Sequence, residues 1–318
     1  MTVFHKGELS VQQRIGVADI AKAIGDKAIR SYMPEQHREF FSQQVLLYAG
    51  VLDNQGHPWA TPILGEQGFV SSPNATTLSI EARALIEYAQ VAQLSVGDSI
   101  GLLGLEFTTR RRNRVNGLVA YSSEQALRFE VQQSFGNCPK YIQKRELKPS
   151  VFNHAFVPKA ADFRELAEND VVLEQVLRHC DTFFIASRAA ALNSEDSDGV
   201  DISHRGGKPG FIDVDKSSNG KMPSLVFPDF SGNNLFNTLG NIVADPRVGL
   251  YIPDFETGCS FWIKGKASII WDVAQVKPYP GAQRFVQVSI ERCLSLTTPT
   301  LVQNSDVEFS PALFDVSV

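Results

Sequence analysis

The sequence has no closely spaced cysteines. Its four, Cys138, Cys180, Cys259 and Cys293, lie far apart and none forms a CxxC unit. That argues against a disulfide-stapled scaffold and a structural zinc site, and fits a reducing, cytoplasmic location. The six histidines are scattered, and His179 beside Cys180 is not metal-ligand spacing, so no metal is expected. No window approaches the ~20 consecutive apolar residues of a bilayer-spanning helix. The opening stretch MTVFHKGELSVQQRIGV lacks the apolar run of a signal peptide, and no membrane partner is expected. GxGxxG, GxxxxGK[ST] and GxSxG are absent, which leaves Rossmann, P-loop and hydrolase-elbow readings without support. An excess of positive charge is missing too. Lys and Arg number 30 against 35 Asp and Glu, a formal charge of −5, which disfavours non-specific binding of nucleic acid.

What is present reads as an ordinary soluble chain, 43% hydrophobic and 20% charged, long enough for two domains. Residues 1–44 read as loop and helix, with Pro34 opening a short amphipathic helix. VLLYAGVLD (45–53), PWATPIL (58–64) and TLSI (77–80) read as strands, and residues 82–94 as a helix with apolar spacing near 3.6. SIGLLGLEF and RNRVNGLVAY form a strand pair, and ALRFEVQQSF adds another strand. Residues 146–164 look like a linker, followed by a helix over 165–178. The pattern then starts again with DTFFIASRA, short strands at PGFIDVD and PSLVFPDF, a helix in NNLFNTLGNIVAD, a strand pair from VGLYIPDF and CSFWIKGKASIIW, and a last strand at RFVQVSIER.

The second round is an internal repeat. IGLLGLEFTTRRRNRVNGLVA (100–120) lies without a gap over VGLYIPDFETGCSFWIKGKAS (248–268), so that Gly101 meets Gly249, Phe107 meets Phe255 and Gly117 meets Gly265. Each half is then a unit of about six strands with a helix after the third. The expected fold is mainly β with helices (α+β): two tandem split barrels packed as a pseudo-dimer, with sites at the junction. Residues 1–150 would hold the helical lead-in and first barrel, and residues 151–318 the linker and second barrel.

Three clusters carry candidate chemistry. In DISHRGGKPGF (201–211), Arg205 suits a forked contact to phosphate and Ser203 a hydroxyl contact, while the alternative is a hairpin loop with solvated charges. In FPDFSGNNLFNTLGN (227–241), Ser231, Asn233 or Asn234 can cap the following helix, whose free N–H groups would suit an anion; plain capping is the alternative. Asn234, Asn237 and Asn241 are poor helix formers placed along it. In QSFGNCPKYIQKRE (133–146), Asn137, Cys138, Lys140 and Tyr141 form an irregular polar turn, and Cys138 has no paired histidine signature of a nucleophile.

Together, HREFF (37–41), GHPWATPILGEQGFVSSP (56–73), RRRNRVNG (110–117), SFGNCPKYIQKRE (134–146), SHRGGKPGF (203–211), PDFSGNNLFNTLGN (228–241) and DFETG (254–258) span nearly the whole chain. They resemble the pyridoxamine 5'-phosphate oxidase-like FMN-binding split-barrel family, in its two-barrel flavin-nucleotide-binding branch. The resemblance implies FMN in a groove between barrels and a flavin-dependent oxidoreductase whose substrate the sequence does not name. A nicotinamide nucleotide or a reductase would be the electron donor, and a homodimer is an open possibility. It implies cofactor contacts from Ser203, His204, Arg205 and Lys208 on the second strand of the second barrel, and from Ser231, Asn233, Asn234 and Asn237 at the helix start. The opposing barrel would contribute Arg112, Asn113 and Arg114 and the turn with Asn137, Cys138 and Lys140. A cation at the N1–C2 carbonyl edge, Arg112 or Arg114, would stabilise reduced anionic flavin. The basic second strand and Ser-Arg-Lys helix start of true pyridoxamine phosphate oxidases are absent, so that activity is not implied. The alternative is a non-catalytic protein that binds or senses flavin, or haem through His204 or His37.

The arginine run has its own parity. Strand side chains alternate faces. Asn113 and Val115 match Phe261 and Ile263 of the repeat and should face the barrel interior. Arg110, Arg112 and Arg114 then share the outer face, toward the partner barrel; a bulge would put Arg111 and Asn113 there instead.

Overall fold

A computed structural model of the chain describes residues 2–81, 94–123, 126–148, 162–168, 170–215, 222–276, 278–297 and 301–314. The expected helix over 82–94 falls almost wholly outside the described residues, as does the expected boundary at 150/151.

Three helices lead in: α1 (Lys6–Ile15), α2 (Ala18–Ala28) and α3 (Glu35–Ser42). The first sheet follows, made of β1 (Leu46–Leu52), β2 (Pro58–Leu64), β3 (Val70–Asn74), β4 (Thr77–Glu81), β5 (Ser99–Glu106), β6 (Arg111–Ser122) and β7 (Ala126–Gly136). Short β8 (Leu147–Lys148), β9 (Arg164–Glu165) and helix α4 (Val172–Leu177) lead to the second sheet. That sheet is β10 (Thr182–Arg188), β11 (Val200–Gly206), β12 (Asp213–Asp215), β13 (Ser224–Phe230), β14 (Arg247–Pro253), β15 (Cys259–Ile270) and β16 (Ala282–Thr297), with helix α5 (Asn237–Ala244) between β13 and β14. A last short strand, β17 (Val302–Gln303), pairs with β8.

The strand orders are β2-β1-β5-β6-β7-β4-β3 and β11-β10-β14-β15-β16-β13-β12. They are the same order twice, antiparallel throughout, so the sequence repeat is a repeat of topology. Each copy has seven strands on this path rather than about six. The additional ones are β3, whose Ser-Ser-Pro-Asn carries no apolar alternation, and β11, whose Asp-Ile-Ser-His-Arg also reads as a loop. The long hairpins even share a bulge, between Asn116 and Gly117 in β6 and between Lys264 and Gly265 in β15. The helix expected over 165–178 is shorter. The Asp170 side chain accepts from Val172 N–H at 3.0 Å and starts α4 there, while Arg164 and Glu165 pair with β16.

The barrels meet about a pseudo-twofold axis. Tyr48 of β1 stacks on Phe184 of β10, with centroids 3.4 Å apart and planes 15° apart, and the two residues occupy equivalent positions. Phe107 and Phe255, partners in the repeat, pack edge to face at 5.6 Å. Gly101 and Gly249 show why this repeat keeps glycine. A Cβ on Gly101 would stand 2.5 Å from the Val200 carbonyl oxygen, and one on Gly249 2.3 Å from that of Pro58. Each glycine lets the opposite barrel's backbone lie directly on its strand. The first barrel's core runs through the junction, taking in Phe184, Ile202, Tyr251 and Trp262 of the second.

Candidate functional site

The site forms where β6 of the first barrel faces β11 and the start of α5 in the second. Arg112, Arg114 and Asn116 alternate along β6 and share one face. Arg114 is 3% exposed, donates to Asp201 Oδ1 at 3.1 Å and to the Ser203 hydroxyl, and lies over the Phe135 ring. Asn116 donates to Asp201 at 2.6 Å, and Asn241 of α5 donates to its other oxygen at 2.8 Å. Asp201 is thus the carboxylate that counters a buried guanidinium, fully hydrogen-bonded as such a charge must be. The sequence reading missed it, as it missed Thr238, whose hydroxyl donates to Ser203 at 3.0 Å.

Arg112 donates through Nε to the Cys138 carbonyl at 2.8 Å and points Nη1 at His204 Nδ1, 3.3 Å away. Burial lowers its pKa to about 10, with Arg114 and Arg205 adding to the effect, so it stays charged at neutral pH. Burial first, then Arg112, Arg145 and Arg205, push the His204 pKa well below the usual imidazole range. His204 is therefore neutral. A guanidinium only donates, so Nδ1 accepts and Nε2 carries the proton. That Nε2 is buried with no hydrogen-bond partner.

Other donors at this cleft are also orphaned: Arg114 Nε, Asn137 Nδ2 and Arg205 Nε. Arg205 binds Asp229 at 2.8 Å through Nη1, and Arg284 also reaches Asp229, at 3.3 Å. Four cations, Arg112, Arg114, Lys140 and Arg205, line the cleft against one carboxylate, Asp229. Asn233, Asn234 and Asn237 line it too, as do the rings of Tyr141, Phe230 and Phe236. Its enclosed volume is about 110 Å³.

The start of α5 differs from the capping expected. None of Ser231, Asn233 and Asn234 caps the helix. Phe236 is the cap residue, in the left-handed region at φ 62°, and no side chain accepts from the first turn. Asn234 is left-handed as well, also at 62°, and Asn233 instead accepts from Leu235 N–H at 3.1 Å. The chain winds tightly before the helix, which leaves its N-terminal N–H groups uncapped beside the cleft. Asn237, on the cleft wall, donates its side-chain amide to Glu8 of α1. Glu8 also accepts from His5 N–H at 2.9 Å, and its pKa is raised to about 8, by burial first and then by Asp201.

Three expected contacts lie elsewhere. Asn113 shares the Val115 face, opposite the cleft, because strand side chains alternate. Lys208 and Ser231 lie in a neighbouring cavity, beyond the Tyr141 and Phe230 rings, since the chain has turned past the end of β11 and β13 by then. The arginine run splits. Arg110 sits in the turn at φ 59° and pairs with Glu308 at 3.0 Å; Arg111 lies over Phe40 and donates to the Gln36 carbonyl at 2.8 Å. His37 is bonded to Ser134 at 2.9 Å and does not line the cleft. Cys138 is free, as are the other three cysteines. Among the described residues no cluster of three or more His, Cys, Asp or Glu could hold a metal ion, and no helix is long and apolar enough to cross a membrane.

The pseudo-twofold axis generates a twin of this cleft, between β15 and β2. There Trp262 stands in the place of Arg114, Ser260 of Arg112, Tyr251 of Leu103, Thr61 of Ser203 and Trp59 of Asp201. Trp262 Nε1 donates to Thr61 at 3.4 Å, reproducing the Arg114–Ser203 contact with an indole. Tyr251 and Phe163 pack on Trp262 at centroid distances of 5.0 and 5.1 Å and fill the space.

No protein-family model matches the sequence, and no curated protein matches it at a significant level. Solved structures do match. HupZ of Group A Streptococcus is 11% identical over 42% of this chain and 94% of its own, with a TM-score of 0.28. A candidate pyridoxamine 5'-phosphate oxidase of Lactobacillus delbrueckii is 18% identical over 41% and 98%, with a TM-score of 0.28. An FAD-binding protein of Mesorhizobium loti is 16% identical over 42% and 96%, with a TM-score of 0.25. Identity and TM-score are too low to speak for more than a likeness of fold. The strand order found twice makes the chain two tandem barrel-like domains of mostly antiparallel strands.

Proposed function

We propose that the protein binds a flavin nucleotide, FMN, in the cleft between β6, β11 and the start of α5, and works as an FMN-dependent oxidoreductase. The observation that carries this reading is the set of buried donors without partners, Arg205 Nε, Arg114 Nε, Asn137 Nδ2 and His204 Nε2, at a cleft lined by four cations, of which Arg114 pairs with Asp201 and Arg205 with Asp229. Orphaned buried donors are costly, and an anionic, acceptor-rich ligand satisfies them. Arg205, Asn137 and the uncapped N-terminus of α5 fit a phosphate. Neutral His204 presents an N–H to a ring nitrogen or carbonyl, and Arg112 supplies a nearby positive charge. The rings of Tyr141, Phe230 and Phe236 offer apolar faces to a planar heterocycle. FMN, when bound, supplies the hydride or electron chemistry; the chain holds it, orients it and sets the charge around it. The enclosed volume is small against the ~300 Å³ at which ligand pockets begin, so the ring system would lie toward the open mouth.

The visible spectrum of the purified protein, with mass identification of what denaturation releases, tests this directly. A yellow protein that releases FMN is expected. Arg205→Ala should weaken FMN binding by about tenfold or more, because it removes a charge-assisted bond, while Arg284 still holds Asp229. A colourless protein that does not take up added FMN overturns the reading. Bleaching of the bound flavin by a reduced nicotinamide nucleotide, under nitrogen, would identify the electron donor.

A further inference from the structure

The turn that bears Asn137, Cys138, Lys140 and Tyr141 forms one wall of the cleft. Few bonds tie it to the barrels. The Asn137 N–H donates to the Arg112 carbonyl at 3.0 Å, Arg112 Nε donates to the Cys138 carbonyl, and the Tyr141 hydroxyl donates to the Ser231 carbonyl at 3.0 Å. Tyr141 is in the left-handed region at φ 65°, a conformation costly for a bulky residue and one the surroundings must enforce.

What holds it is a segment far along the chain, residues 308–314. The Tyr141 N–H donates to Ser310 Oγ at 3.1 Å. The Ser310 N–H donates to Oε1 of the buried Gln143 at 2.7 Å, and the Gln143 amide donates to the carbonyls of Tyr141 and Gly207 at 3.2 and 3.1 Å. Lys144 and Glu308 exchange backbone bonds at 2.9 and 3.0 Å. Arg110, which the cleft does not use, clasps both pieces of chain. Its Nε donates to the Ile142 carbonyl at 2.8 Å, and its Nη2 to the carbonyls of Glu308 and Phe309 at 3.1 and 3.2 Å. Of residues 308–314 only Ser310 and Leu313 are buried. A fastening built from polar contacts, with so little apolar burial, opens at lower cost than the barrel cores.

The cleft needs such an opening. Its enclosed volume of about 110 Å³ is below the ~300 Å³ at which ligand pockets begin. Behind the turn lies a further space of about 330 Å³, lined by Lys140 and Tyr141 themselves, which gives the turn room to recede.

We propose that residues 308–314 are a latch on the 137–141 turn. Released, the turn withdraws into the space behind it and a ligand enters or leaves the cleft; fastened, the turn closes on the ligand. That the ligand is FMN rests on the flavin reading; the latch itself does not.

Ser310→Ala and Arg110→Gln in the full chain test it, with two readouts. The first is hydrogen exchange of the ligand-free protein. The Asn137 amide is bonded to β6 and not to the latch, so it exchanges faster only if the whole turn moves. Relative to the β14 amides, its exchange should rise about tenfold in both variants, the worth of one hydrogen bond. The second is stopped-flow quenching of FMN fluorescence. The latch is fastened in the free and the loaded closed forms alike. Both variants should therefore raise the association and dissociation rates together, about tenfold, and leave Kd within about threefold. Ser310→Thr, which keeps the hydroxyl, should restore both rates. A rise in dissociation alone would make the segment a static support and overturn the proposal, as would unchanged exchange at Asn137. Faster Asn137 exchange in variants of a protein that takes up no FMN would keep the latch and remove the flavin reading.

Discussion

The two clefts related by the pseudo-twofold axis have the same strands in the same register and opposite contents. One holds Arg112, Arg114, Asp201 and His204; its twin holds Ser260, Trp262, Trp59 and Pro62 at the equivalent places. The difference separates what the fold needs from what it carries. The twin shows that this junction closes with aromatic packing, the Trp262–Thr61 indole contact and the Tyr251–Ser260 hydrogen bond at 2.9 Å. Buried ion pairs are seldom more stabilising than apolar residues of similar volume, and orphaned donors cost more still. On the proposed reading, the polar side serves a ligand rather than the fold. Two separate barrels in a symmetric dimer would carry identical clefts; only the tandem chain can keep one polar and fill the other.

The largest expected effect is on the filled side. Trp262→Ala leaves a cavity under Tyr251 and Phe163 and should cost about 3–5 kcal/mol in urea unfolding, with FMN binding at the other cleft retained. On the polar side, Arg114→Leu strands Asp201. A loss near 3 kcal/mol is expected, the low end for a broken buried pair because Asn116 and Asn241 still hold the carboxylate, and FMN binding should go with it. If Trp262→Ala abolished cofactor binding as well, the division of labour between the clefts would be wrong.

Next come the two close approaches. Gly101→Ala and Gly249→Ala each force a Cβ into an opposing backbone carbonyl and should each cost about 1–3 kcal/mol by thermal or chemical denaturation. Gly101 spaces β5 from β11, so its variant should also weaken FMN. Gly249 spaces β14 from β2, so its variant should not. The smallest effect is a pH slope. The Glu8 carboxyl is at about 8 in the folded protein against 4.5 as its ordinary value. The folded chain thus holds a proton that the unfolded chain releases, and stability should fall from pH 7 to pH 8 by roughly 1 kcal/mol on this account. Glu8→Gln should flatten that slope, read as melting temperature against pH.

Much of the fold was legible because the β5–β6 hairpin and its repeat align without a gap, and apolar strands such as LLYAGVL and FWIKGKASII alternate or run as buried strands do. The helices α1 and α2 gave no such signal. The face α1 buries is Gly7, Glu8, Val11 and Gln12, so its buried stripe is mostly polar and hydrophobic periodicity is silent on it. Gln12 there donates to the Leu235 carbonyl at 3.0 Å. At the cleft, arginine, histidine and asparagine residues stood out by type and spacing. Asp201 did not, because its counterpart in the repeat is Trp59 and an aspartate opening a short strand resembles a turn residue. The resemblance implies Lys208 and Ser231 at the cleft through their strand-two and helix-start positions, and a turn at a strand end is enough to carry such residues into the next cavity.

The N-terminal helix has a consequence for how the molecule comes apart. Although α1 precedes the first barrel in sequence, it lies on α5 of the second, so closely that a Cβ on Gly7 would stand 2.2 Å from the Gly240 carbonyl oxygen. At the other end, Ser310 receives the Tyr141 N–H and donates its own to Gln143, at 3.1 and 2.7 Å. The chain's two ends are thus each tied to the opposite half. A cut between the halves would not release two independent folding units; the protein should melt in one cooperative transition, and trimming the first fifteen residues should loosen the far barrel before the near one.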